Sequence, residues 1–257
     1  MSTDKKSRQW YEDNADNYAA HTRDPNESIY HSLYEKPAMY SMLPDLTGMS
    51  VLSLGCGSGE DCNYLQAHGA KNVTGIDLSA NLIEIASKSY PECQFKVMDM
   101  EQLDFSDESF EFAYSSLAMH YIEDWSQIFR EVYRVLKPNS YFLFSCNHPV
   151  ETAMDITQND DANKMRQLSR STNKTTGDIT IVGDYMARKS SSDATDFEVT
   201  TWHKPVGEIS SEAVSAGFLI AGIHDPKPLE RMREVSPGSF EVLSKIPCFM
   251  MIKLIKI

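Results

Sequence analysis

Val51-Leu52-Ser53-Leu54-Gly55-Cys56-Gly57-Ser58-Gly59-Glu60 is the stretch from which the rest of the chain can be read. An apolar run ends in three glycines at alternating positions, and a helical pattern follows. Buried strand, glycine turn and helix start together bring backbone N–H groups close to a nucleotide-like ligand. Asp77 closes the next apolar run, Val73-Thr74-Gly75-Ile76, about twenty residues on, where a carboxylate can hold ribose hydroxyls.

Outward from that stretch the chain alternates strand and helix. Residues 51–55, 72–77, 94–98, 110–115 and 141–145 read as strands. Helical patterns lie after Gly59, from Ala80 to Ser89 with Ser79 as N-cap, and from about Trp125 to Leu136. Such a series predicts a doubly wound, parallel α/β sheet. Right-handed crossovers put the C-terminal strand ends on one edge. Gly55, Asp77, Asp99, Ser115 and His148 should collect there. Before the first strand, one helix is expected from about Arg8 to Ala20, with Tyr11 and Tyr18 on a shared face. A second runs from about Ile29 to Leu43 and is kinked near Lys36 by Pro37.

Residues from about Val150 to Thr201 break the rhythm. Ile179–Val182 and Phe197–Thr200 read as strands of an added hairpin, with Lys189–Asp193 as a loop between them. A polar insert of this length is usually a functional cover or a mobile segment. Lys164, Arg166, Arg170, Lys174, Arg188 and Lys189 make it locally basic, which a solvated face explains more readily than an acidic acceptor. Val206–Ala216 then reads as a helix, Gly217–Ile223 as a strand and Cys248–Ile257 as a closing strand.

The chain has 257 residues, enough for one α/β core. Its formal net charge of −13 repels phosphate backbones and argues against a broad nucleic-acid surface. Five cysteines without a CxxC pair suggest neither a disulfide framework nor a metal site. No apolar run is long enough to span a bilayer, and Met1–Lys6 lacks a signal region, so a reduced, cytoplasmic protein is expected.

With these residues in hand, the chain resembles the class I S-adenosylmethionine-dependent methyltransferases, in their branch that acts on small molecules. The marks are LGCGSG at 54–59, GIDLS at 75–79, MDMEQLDF at 98–105, SFEFAYSSLAMHYIED at 109–124 and REVYRVLKP at 130–138. The resemblance implies a seven-stranded, Rossmann-like sheet whose last strand is antiparallel. It divides a single domain into an N-terminal helical lid (1–45), a cofactor-binding core (46–149), an insert or cap (150–205) and C-terminal elements (206–257). It implies that Gly55, Cys56, Gly57 and Gly59 face the methionine part of S-adenosylmethionine, and that Asp77 holds the ribose. Asp99, Met100 and Glu101 would read the adenine, Leu78 would pack on its ring, and Ser115 would sit beside the methionine moiety. Tyr11 and Tyr18 match aromatic positions that cover the cofactor. One departure is Asn139-Ser140, where related chains often carry paired glycines.

The residues also speak to the cofactor directly. Glu60 and Asp61 open the helix after the glycine loop, where acids suit the helix dipole but repel a pyrophosphate. A sulfonium and an ammonium are positive, so S-adenosylmethionine is favoured over NAD. Methyl transfer from a sulfonium is an in-line displacement that depends on alignment in a water-poor site. A base is needed only if the acceptor must lose a proton. His120 and His148 are the candidates, because both follow strands at the ligand edge and histidine titrates near neutrality. His203 is a third candidate. For each, a purely structural hydrogen-bonding role is the alternative. Rival readings are a nicotinamide-dependent oxidoreductase and a non-catalytic S-adenosylmethionine-binding regulatory module. The partner expected is a small-molecule acceptor, with no nucleic acid or membrane; monomer and homodimer both remain open.

Overall fold

A computed structural model describes residues 3–158, 164–191 and 199–257. The sheet strands are β1 (Ser50–Leu54), β2 (Asn72–Asp77), β3 (Gln94–Val97), β4 (Phe110–Ser115) and β5 (Leu136–Asn147). Three hairpins follow: β6 (Asp155–Gln158) with β7 (Lys164–Gln167), β8 (Ser169–Thr172) with β9 (Ile179–Val182), and β10 (Lys189–Ser191) with β11 (Thr201–His203). β12 (Leu219–His224) and β13 (Phe249–Ile255) return to the main sheet. Its order is β12-β13-β5-β4-β1-β2-β3, with β13 antiparallel to β5. The doubly wound, Rossmann-like, seven-stranded expectation therefore holds. β2 and β4 leave β1 on opposite sides, so the crevice at the C-terminal ends of β1 and β4 is the switch point where such sheets take ligands.

The central strands β1, β4, β5 and β13 present apolar side chains to two layers at period two, while the edge strands β3 and β12 are largely exposed. Phe142, Phe144 and Cys146 of β5 join the core under α6 (Ser126–Val135) and α8 (Val206–Ser215). Leu143 enters the opposite core with Val51, Val73 and Phe112. There it meets α3 (Lys36–Ser41), α4 (Glu60–Ala67) and the C-terminal pair α9 (Arg231–Val235) and α10 (Pro237–Leu243). α5 (Ala80–Ser89) is capped by Ser79, whose hydroxyl accepts from the Leu82 amide at 3.1 Å. Early in β5, where its register against β4 shifts between Leu136 and Tyr141, Asn139 sits at φ +63°, in the left-handed region that asparagine tolerates after glycine. Asn139 thus takes the left-handed conformation at the position where related chains often carry glycine.

Three expectations need correction. The helix expected over 8–20 is two helices, α1 (Lys5–Asp13) and α2 (Ala15–Arg23). They break at Asn14 (φ −110°, ψ 16°), whose side-chain amide donates to the Trp10 carbonyl. The kink at Pro37 takes the form of a π-helical segment, His31–Glu35, leading into α3. Proline has no N–H for the Leu33 carbonyl and its ring crowds that oxygen; the wider turn relieves the crowding, and the Leu229 amide donates to Leu33 O at 2.8 Å instead. Ile179–Val182 is a strand, but it pairs with Ser169–Thr172, and Lys189–Ser191 is a strand rather than a loop. Residues 192–198, including most of the second expected strand, lie outside the described residues. α7 (Pro149–Ala153) joins the core to the hairpins.

Candidate cofactor site

Gly55 ends β1 at φ +62°, and a Cβ there would lie 2.4 Å from Ala118 Cβ in the loop after β4. No other residue lets these two loops approach so closely. Gly57 follows at φ +53°, and a Cβ would meet only the edge of the Tyr18 ring, at 3.5 Å. The loop is tied to β2 twice. Cys56 N donates to Ile76 O at 2.9 Å, and Gly57 N donates to Asp77 Oδ2 at 2.9 Å. The Ser79 amide donates to Asp77 Oδ1, also at 2.9 Å. These amides fix the Asp77 carboxylate at the end of β2, where it lines the groove. Burial pushes the Asp77 carboxyl above its ordinary range, opposed by the amides that donate to it.

A groove runs through this crevice in two halves. One half is lined by Asp77, Leu78, Leu82, Met98 and Met100 and roofed by Tyr11, Tyr18 and Tyr121. The other is lined by His31, Lys36, Cys56, Ser58, Glu60 and Asp61. Tyr18, Gly55, Gly57 and Ser116 line both, and so mark where the halves meet. The roof is an aromatic cluster. Tyr11 and Tyr121 hydroxyls are hydrogen-bonded at 2.6 Å, and the Tyr11 and Tyr18 rings meet edge to face at 5.2 Å. α1 is fastened over α5 by Ser79 Oγ, which donates to Glu12 Oε2 at 2.6 Å.

In the second half, Lys36 Nζ lies 3.0 Å from Asp61 Oδ1, and the Tyr40 hydroxyl donates to the same oxygen at 2.6 Å. Burial alone would raise the Asp61 pKa; Lys36 and Tyr40 outweigh it and hold the carboxyl below its ordinary value. Asp61 therefore stays ionised. His31 is driven down to about 4 by desolvation, reinforced by Lys36, and so is neutral near pH 7.

Several expected residues sit elsewhere. Ser115 is fully buried and donates to Leu54 O at 3.0 Å, tying β4 to β1. It is the next residue, Ser116, that lines the groove, because it lies one step past the strand end. Asp99 turns Oδ1 onto the Glu101 amide and neither residue is among those lining the groove. Gly59 starts α4 at φ 91°, behind the loop. His148 caps α7: its Nδ1 accepts from the Val150 amide at 3.1 Å and its Nε2 meets Asp225 Oδ1 at 3.2 Å. His203 is likewise engaged through both nitrogens, with Thr152 Oγ1 at 2.6 Å and Tyr185 O at 2.9 Å. His120 is buried beside Tyr121 and outside the groove lining, and desolvation, with His31 adding to it, drives its pKa down to about 3.

Sequence reasoning missed Ser116, Lys36, Tyr121 and Glu35. Glu35 is fully buried; its Oε1 accepts from Ser145 Oγ at 2.6 Å and from Ser116 Oγ at 2.9 Å. Its spacing to Pro37 gave no signal of this, since the contacts come from strands far along the chain. Arg166 and Lys189 of the hairpin region pair with Glu151 and Asp155, which leaves little net charge there. These two cations line a separate cavity of about 640 Å³ between the hairpins and the ends of β5 and β13.

The fit to S-adenosylmethionine follows from the donor set. The Asp77 carboxylate beside a slot of Leu78, Leu82, Met98 and Met100 suits a nucleoside. Asp61 suits an ammonium and Lys36 a carboxylate. Glu60 and Asp61 open the helix after the glycine loop, where their negative charge disfavours a pyrophosphate.

Comparison with known proteins agrees. Residues 52–144 match the model of a family described as a methyltransferase domain. Among solved structures, an S-adenosylmethionine-dependent methyltransferase from Mesorhizobium loti superposes with a TM-score of 0.72 at 26% identity, covering 89% of this chain and 99% of that one. Among curated relatives, an uncharacterised Haemophilus influenzae protein is 33% identical over 135 residues, 49% of this chain and 53% of its own length. A malonyl-[acyl-carrier protein] O-methyltransferase of Erwinia billingiae is 38% identical over 98 residues, 38% of this chain and 39% of its own. The chain thus spans about half or less of the length of these curated relatives. With its sheet order, its glycine loop and its matched core, the chain carries a methyltransferase domain over residues 52–144 and is similar in sequence and fold to S-adenosylmethionine-dependent methyltransferases.

Proposed function

We propose that this protein moves the methyl group of S-adenosylmethionine to a small-molecule acceptor. The observation that carries the reading is the two-ended groove, with Asp77 at one end, Asp61 and Lys36 at the other, and the glycine loop between. When bound, S-adenosylmethionine supplies a methyl carbon already activated by the positive sulfur. The chain's own part is therefore binding, alignment and exclusion of water. Gly55, Gly57 and Ser116 stand at the meeting point of the halves, so the acceptor's nucleophile should arrive beside Ser116. The three tyrosines close that half of the groove from above. The 640 Å³ cavity begins at Asn147, two residues beyond Ser145 on the same strand, and is the compartment we assign to the body of the acceptor.

Oxygen acceptors are the first to try, because a relative is named for O-methylation of malonyl-[acyl-carrier protein]. The reading is tested by titrating the protein with S-adenosylmethionine and, separately, NAD. Formation of S-adenosylhomocysteine is then followed across a panel of small hydroxyl, carboxyl and amine acceptors. Binding of NAD in preference would favour the oxidoreductase. Binding of S-adenosylmethionine without turnover of any acceptor would favour a regulatory module.

A further inference from the structure

Behind the meeting point of the groove lies an ionisable group that cofactor binding does not use. Glu35 has no exposed surface, and its Oε1 is held by the hydroxyls of Ser116 and Ser145. Its Oε2 is buried and has no hydrogen-bond partner among the described residues. An ionised carboxylate so placed is costly, and a neutral one gains little from two donors on one oxygen, so the site is balanced between its two charge states. Ser116 connects this group to the groove: its Oγ is 2.9 Å from Glu35 Oε1, and the residue lines both halves.

We propose that Glu35 is a proton store keyed to charge in the groove: it releases its proton when a positively charged sulfur occupies the point beside Ser116, and regains one when that sulfur is neutral. The proposal rests on the cofactor reading above. A unit positive charge within a few ångströms lowers a carboxylate's pKa by about 1–3. Removal of the charge reverses this. Methyl transfer to an O–H or N–H acceptor couples the two events. The acceptor's lone pair forms the new bond to the methyl carbon, the carbon–sulfur pair remains on sulfur, and the acceptor's proton must leave. Ser116 Oγ can accept that proton on a lone pair while passing its own to Glu35. The proton count then closes on the protein, at the moment the positive charge disappears.

The surroundings of Glu35 place it where such an exchange can happen. Burial raises its pKa first, and the Asp61 charge adds to this; the Ser145 and Ser116 hydroxyls and the Lys36 ammonium oppose them, leaving it at about 7. The Tyr40 and Tyr114 hydroxyls also face this cluster and stay neutral there, both pushed upward by burial.

Calorimetric titration at about pH 6, in buffers of differing ionisation enthalpy, counts the protons exchanged on binding. S-adenosylmethionine should release roughly half to one proton more than S-adenosylhomocysteine. The two ligands share ribose, adenine and amino-acid ends, so contributions from Asp77, Asp61 and Lys36 cancel. The difference should vanish in Glu35→Gln. Binding of both ligands with equal counts overturns the proposal alone, as does a difference that survives Glu35→Gln. Failure of both ligands to bind overturns the cofactor reading and the proposal with it. Should Glu35→Gln not fold, infrared difference spectra of the wild-type protein decide. S-adenosylmethionine, but not S-adenosylhomocysteine, should bleach the carbonyl band of an un-ionised carboxylic acid, and no bleach overturns the assignment.

Discussion

The Asp77 carboxylate and the Gly57 amide, 2.9 Å apart, lock the end of β2 to the glycine loop at the end of β1. One side chain thereby shapes the loop and lines the groove. Asp77→Ala should weaken S-adenosylmethionine binding by about 1–3 kcal/mol, the worth of a lost charge-assisted bond. Burial raises the Asp77 pKa in the free protein, so affinity should fall as pH drops through that raised value. Calorimetry at several pH values checks both; an affinity unchanged by the substitution would remove Asp77 from the site.

The two glycines of the loop should respond differently to the same small change. Gly55→Ala places a methyl 2.4 Å from Ala118 Cβ, so the loops must separate and the fold should lose stability. At Gly57 the methyl meets only the Tyr18 ring edge, at 3.5 Å. Gly57→Ala should therefore cost the fold only the left-handed strain, about 1–2 kcal/mol, while intruding on the groove. Denaturant melts and ligand titrations of the pair should separate stability from binding, and equal effects on both would contradict the geometry.

Glu35 should make stability fall as pH rises. Its pKa is raised from 4.5 to about 7 in the folded protein. Between those values the folded state holds a proton that the unfolded state has lost. Stability is therefore greatest below the lower value and declines up to the higher one, by about 3 kcal/mol at most. Glu35→Gln should flatten this part of the pH–stability curve. Urea unfolding of both proteins from pH 5 to pH 8 measures it, and parallel curves would mean that Glu35 does not titrate in this window.

Lys204, only 3% exposed, fastens the end of the hairpin region to the core. Its Nζ meets both Glu212 oxygens of α8, at 2.6 and 2.7 Å, and lies 5.0 Å from the centroid of the Trp125 ring. Lys204→Met leaves Glu212 buried with Arg188 as its remaining cation. The loss should approach the roughly 3–5 kcal/mol of a broken buried pair. Adding Glu212→Gln should recover much of it. A double variant no more stable than the single one would show that packing on Trp125, not charge, sets the cost.

The sequence alone determined the sheet and part of the groove lining. Strand periodicity, the glycine spacing and Asp77 are local properties, and local rules read them: the strand expected at 51–55 is Ser50–Leu54, that at 72–77 sits as expected, Ser79 caps α5, and Tyr11 and Tyr18 roof the groove. Tertiary structure decided the rest. Ser116 rather than Ser115 lines the groove because a one-residue step at a strand end reverses the side chain's direction. His148 and His203 each have both ring nitrogens engaged, His148 by the Val150 amide and Asp225, His203 by Thr152 and Tyr185, and three of these four partners lie 18 to 77 residues away. Glu35 acquires its character from Ser116 and Ser145, some 81 and 110 residues away. Hydrogen-bond partners and desolvation are properties of the packed fold, and no period or motif in a linear chain encodes them.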